Sequence, residues 1–131
     1  MSRVAGDVSN LTIQDVEADN VQRFFEDYAG SGNATATIDG LTLRDINVAG
    51  FSKGAVRLQY DTRNVLVENV NGDSEGQDGD DFAIGVHIAG TAHDIVLRKV
   101  TMANAIDTEG DAYWNGDGFA TEGGAYNITF E

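Results

Sequence analysis

One short pattern recurs along the chain. "NLTIQDVEA" begins at Asn10, "GLTLRDINV" at Gly40, "NVLVENVNG" at Asn64, "DIVLRKVTM" at Asp94 and "NITFE" at Asn127, at spacings of 30, 24, 30 and 33 residues. A fixed motif at irregular spacing is what a solenoid with loops of variable length produces. Within each copy the apolar residues fall in the same order. Leu11, Ile13, Val16 and Ala18 match Leu41, Leu43, Ile46 and Val48, then Val65, Val67 and Val70, then Ile95, Leu97, Val100 and Met102. The alternation has period two, slips by one residue, and resumes. That predicts a strand, a bend and a second strand facing one core. The bends fall at Asp15, Asp45, Asn69 and Lys99, polar residues suited to a turn. The dense β-branched residues and the missing 3.6-residue period exclude helix.

A third strand precedes the motif. Aligning on Asn64, Asp94 and Asn127 puts "AVRLQY", "GVHIAG" and "GFATEG" in register, with Val56, Val86 and Phe119 inward, and Leu58, Ile88 and Thr121 likewise. Three strands per coil, coils of about 24 residues or more and a stacking distance of ~4.8 Å describe an all-β, parallel β-helix in one domain over residues 1–131. It would have about four rungs and a partial fifth. The first coil, containing "VQRFFEDYAGSGNATATID", needs a longer loop and leaves its register open. Because "NITFE" starts a rung with no partner strands after it, the expectation is a fragment of a longer β-helix. Bare coil ends would make end-to-end self-association possible.

Composition narrows the function classes. The 131 residues hold 22 acidic against 8 basic side chains, a net charge of −14, with no Cys and no Pro. Such a charge argues against nucleic acid, and the lack of Cys removes disulfides and thiolate metal sites. No apolar run is long enough to span a membrane, and "MSRVAGDVS" is no signal peptide.

Two loops carry nine of the 22 acidic residues. They are Asn71 to Asp81 and Ala103 to Asp117, and stacked coils would set them side by side. Clustered carboxylates attract hard cations, and calcium suits an oxygen-only site. The candidate metal ligands are Asp80, Asp81, Asp107, Glu109, Asp111 and Asp117; a solvated acidic rim is the other reading. Tyr113 and Trp114 beside them either offer flat faces to a sugar ring or pack into a local core. Arg57 and His87 are predicted to share one outward column on adjacent rungs, with Lys53 close by. They are the candidate catalytic pair, a column that could receive an anionic group with one member serving as a general base, and Lys53 is a candidate substrate-binding residue; surface ion pairs with loop carboxylates are the alternative. Arg63 and His93 form a second column. Sequons at Asn10 and Asn127 coincide with the rung motif, so they read as strand starts.

The rungs "GDDFAIGVHIAGTAHDIVLRKVTM" and "NGDGFATEGGAYNITFE" resemble the right-handed parallel β-helix of the pectate-lyase-like superfamily. Asn115, Asp117, Gly118, Phe119 and Ala120 are similar to the "NADGFA" turn of family 9 pectate lyases. There the corresponding Asp helps to hold a calcium ion that bridges to a uronate carboxylate, and the base is a Lys of a later rung. This chain has Glu122 where those lyases often carry Lys, and no Lys follows Lys99. Gly79 to Asp81 resembles the "GDD" of family 28 polygalacturonases, whose other motifs are absent. The resemblance implies an extracellular or cell-surface protein active on acidic polysaccharide, of lyase or epimerase type, with a calcium-binding cleft. A non-catalytic carbohydrate-binding or adhesin-type module is the alternative.

Overall fold

A computed structural model describes residues 7–27, 37–110, 113 and 116–131. Among them there is no helix. The strands are β1 (Val8–Asp19), β2 (Arg23–Glu26), β3 (Ile38–Ala49), β4 (Gly54–Leu58), β5 (Thr62–Asp73), β6 (Ile84–Ile88), β7 (His93–Ala103), β8 (Asp117–Thr121) and β9 (Tyr126–Phe130). The odd-numbered strands form one five-stranded sheet and the even-numbered ones a four-stranded sheet. Every pairing is parallel. The chain is therefore a parallel β-solenoid, each coil made of a long bent strand and a short one.

The recurring motif is the register of the long sheet. Leu11, Leu41, Val65, Ile95 and Ile128 lie in one column, and Val16, Ile46, Val70 and Val100 in another. The slip between them is a single residue held at positive φ: Asp15 (57°), Asp45 (53°), Asn69 (52°) and Lys99 (50°). Asn and Asp reach this left-handed region at low cost, which is why they recur there. A second such column, at Asn10 (55°), Gly40 (84°), Asn64 (55°), Asp94 (54°) and Asn127 (53°), lies at the second or third residue of each strand of this sheet. The two sequons on the rung motif are therefore turn positions.

Inward side chains of both sheets meet in one core. Leu41, Leu43, Val67, Leu58 and Ile88 are completely buried. Gly72 interrupts the column of Val48 and Met102, and the space is taken by its neighbours. A Cβ at Gly72 would lie 2.6 Å from the Met102 sulfur and 3.2 Å from a Phe51 ring carbon. A small residue in one coil thus makes room for two large ones, as close packing requires.

The short sheet follows the expected register. Val56 pairs with Val86 and Val86 with Phe119, while Leu58, Ile88 and Thr121 form the next inward column. In the first coil Phe25 joins the column of Val56. The outward column between these rows is Glu26, Arg57, His87 and Ala120. Arg23, which opens β2, reaches from this side to the Phe82 carbonyl at 3.5 Å, in the corner that leads into β6.

Candidate functional site

The outward column of the short sheet brings Arg57 and His87 together on adjacent coils, as their spacing predicts. Each is engaged by a carboxylate. An Arg57 Nη lies 3.4 Å from Glu26 Oε1, and Arg23 reaches the same oxygen at 3.2 Å. His87 Nε2 lies 2.7 Å from Glu122 Oε1, in the turn that follows β8. The imidazole is only 2% exposed, and its Nδ1 is buried without a hydrogen-bond partner. Burial pushes the His87 pKa down, and the hydrogen bond to Glu122 opposes this incompletely. The neutral ring, with its proton on Nε2, satisfies the carboxylate. Glu26 and Arg23 were not among the residues singled out from the sequence, and Glu122 was noted there only as standing where family 9 pectate lyases often carry Lys.

The second column also forms. Asp39, Arg63, His93 and Tyr126 are in register. Arg63 Nε donates to Asp39 at 3.1 Å, and an Arg63 Nη lies 3.3 Å from Asp61. The His93 and Tyr126 rings stack at 4.6 Å, and His93 Nδ1–H donates to the Thr91 carbonyl.

The corners before β4, β6 and β8 are stacked as well. Asp80 N–H donates to the Ser52 carbonyl and the Ser52 hydroxyl donates to Asp80, both at 3.0 Å. Lys53 lies in the same corner, where its carbonyl accepts from Ile84 N–H at 2.8 Å. One coil further, Tyr113 N–H donates to Asp81 at 2.6 Å and Phe82 N–H donates to the Tyr113 carbonyl at 2.8 Å. The two aromatic rings meet edge to face at 5.8 Å. Phe82 has φ of 62°, which a bulky side chain rarely adopts. Close approach is built in at Gly79, where a Cβ would stand 2.5 Å from the Ile106 carbonyl oxygen.

Asp78 ties the loops most firmly, accepting from Thr108 N–H (2.8 Å), the Thr108 hydroxyl (2.6 Å) and Glu109 N–H (3.2 Å). The Thr108 hydroxyl, with these N–H groups, holds the Asp78 carboxyl below the usual range. Asp107 accepts from Glu109 N–H (3.0 Å) and Gly110 N–H (2.6 Å), closing its own turn. Several loop carboxylates therefore organise backbone. Glu109 and Asp117 are exposed on the rim, and Asp117 opens β8 beside Ile84. Asp111 and Trp114 lie outside the described residues.

Among the described residues, no three carboxylates or imidazoles converge as a metal cage would require. Those residues do not by themselves fit a protein-only calcium centre, which takes six to eight oxygens. The described residues of these loops do form an acidic ledge, with Asp78, Asp80, Asp81, Glu109 and Asp117 exposed and Tyr113 58% exposed.

A separate groove of about 390 Å³ follows the bend of the long sheet, lined by Asp15, Glu17, Asp45, Asn47, Asn69 and Asn71. Its polar groups are largely spent on one another. Asn69 donates to Asp45 at 2.6 Å, Asn47 to Glu17 at 2.7 Å and Asn71 to Asn47 at 3.2 Å. These are cross-strand ladders that fix register.

Comparison with protein-family profiles, with curated proteins and with solved structures finds no match to this chain. The parallel β-solenoid agrees with the architecture that the pectate-lyase-like resemblance implies, and relatives add nothing to it.

Proposed function

We propose that this chain is a carbohydrate-binding segment of an extracellular or cell-surface β-solenoid that engages an acidic polysaccharide through bridging calcium ions. The observation that carries the proposal is the ledge formed by the loops before β6 and β8. There Asp78 and Asp81 lock one loop onto the next, and the Tyr113 ring stands exposed beside rim carboxylates. A polymer rich in carboxylates would be repelled by a chain of net charge −14. A calcium ion shared between polymer oxygens and one or two rim carboxylates removes that repulsion without needing a complete protein cage. The exposed aromatic face supplies the apolar contact that a sugar ring takes.

Binding is favoured over catalysis by the column beside the ledge. A general base must come within hydrogen-bond reach of the proton it removes. His87 is buried and held by Glu122, and Arg57 lies against Glu26. Both serve the sheet before they could serve a substrate.

Calorimetric titration with oligogalacturonate, oligoalginate and a neutral cello-oligosaccharide, with calcium and with chelator, tests the reading. Binding confined to the acidic oligomers in calcium is expected. Tyr113→Ala should weaken it about tenfold, the loss of ~1.4 kcal/mol. Equal binding in chelator, or no binding to either acidic oligomer, overturns the proposal.

A further inference from the structure

His87 is an unusual occupant of an outward column. It points away from the apolar core yet is 2% exposed, and one of its two ring nitrogens is matched. Nε2 meets Glu122 at 2.7 Å, and Glu122 belongs to the next coil. Across the same step, Glu122 N–H donates to the Ile88 carbonyl, Gly124 N–H to that of Gly90 and Tyr126 N–H to that of Ala92. The His87–Glu122 contact thus adds a side-chain fastening to a turn that these backbone bonds and the His93–Tyr126 stack also hold.

We propose that the His87–Glu122 contact is a proton-sensitive tie that secures the coil of β8 on the coil of β6 at neutral pH and loosens on acidification. A neutral imidazole has one N–H, and Glu122 accepts it. A protonated ring has a second N–H, on Nδ1, and that atom is buried with no acceptor. The added charge would also arrive beside cations. Arg57 of β4 is its register neighbour, and Arg23 of β2 repels it more weakly. Against them stand Glu122, directly bonded, and Glu26 of β2, which is already engaged by both arginines. Moving the ring outward would hydrate Nδ1 and break the contact with Glu122. Because His titrates between about pH 5 and 8 in ordinary surroundings, the device would act in mildly acidic conditions.

Native-state hydrogen exchange on the whole chain at about pH 7.5 and about pH 5.5 tests this, with protection factors correcting for intrinsic rates. Protection of the Glu122, Gly124 and Tyr126 amides should fall at least about tenfold at the lower pH, while Val65 and Val67 in the long sheet hold theirs. His87→Gln keeps an N–H donor but cannot gain a proton, so its protection should not change over this interval. The same fall in His87→Gln, or no fall in the wild type, overturns the proposal. Should His87→Gln not fold, the imidazole resonances of the wild type decide. Protonation of His87 below its ordinary value, coincident with the loss of protection, sustains the tie. A His87 that titrates at or above that value with protection intact refutes it.

Discussion

Asp78 accepts both the backbone N–H and the hydroxyl of Thr108, which lies 30 residues further along the chain. One carboxylate thereby does between the loops what strand pairing does between the coils. Two charge-assisted bonds to the same residue fix direction as well as distance, and this is why the acidic loops form a ledge instead of two independent flaps.

Asp78→Ala should therefore free the loop before β8 without unfolding the solenoid. Exchange of the Thr108 and Glu109 amides is expected to quicken, with a small fall in melting temperature, because the side chain is solvent-exposed. The pH sense follows from the depressed carboxyl. Its stabilising contribution is present above the ordinary carboxylate value and disappears as pH falls through the lower folded value. Unchanged exchange at Thr108 in Asp78→Ala would show that the loops are held by other contacts.

Glycines at positive φ give a sharper test of the coil stacking. Gly76 (φ 73°) and Gly90 (φ 63°) share a backbone conformation but not surroundings. A Cβ at Gly76 meets nothing within 4 Å, whereas one at Gly90 would lie 1.8 Å from the Gln59 carbonyl oxygen. Gly76→Ala should cost only the conformational penalty, about 1–2 kcal/mol. Gly90→Ala must also push adjacent coils apart, so a loss of more than about 3 kcal/mol is expected. Urea unfolding of the two variants measures the difference, and equal losses would refute the packing at Gly90.

The solenoid was legible because each coil repeats the same physical problem. An alternating strand must bury one face, and the bend must tolerate positive φ, so the apolar columns and Asp15, Asp45, Asn69 and Lys99 could be read directly. Arg57 and His87 could be paired for the same reason. Their partners could not. Phe24 and Phe25 are adjacent aromatics, both packed against the core, so alternation could not choose the register that sets Glu26 beside Arg57. Glu122 lies just past β8 and reaches His87 on the diagonal, two residues beyond the in-register Ala120. The loop carboxylates were visible as a cluster. Whether an Asp accepts N–H groups, as Asp78 and Asp107 do, or ligates a cation depends on loop conformation, which composition does not encode.

Asp27 joins the first coil to the second from a half-buried position just after β2. It accepts from Gln59 N–H at 2.6 Å, from Tyr60 N–H at 3.4 Å and from the hydroxyl of Thr62, which is itself fully buried. Asp27→Ala would take the acceptor from these three donors, one of them on the fully buried Thr62, a loss of about 1–3 kcal/mol. Burial pushes the Asp27 carboxyl above its ordinary value, and the Thr62, Gln59 and Tyr60 bonds pull it back incompletely. A carboxyl raised in the folded state binds its proton more tightly there than in the unfolded chain. Its favourable contribution is thus complete below the unfolded value of about 3.9 and is lost as pH rises through the folded value. Asp27→Asn cannot titrate, so the stability gap between it and the wild type should narrow as pH rises from about 4 toward neutrality. Urea midpoints of both proteins across that interval check the direction. A constant gap would mean that Asp27 keeps an ordinary carboxyl in the folded chain, and a widening gap would mean that its hydrogen bonds outweigh its burial.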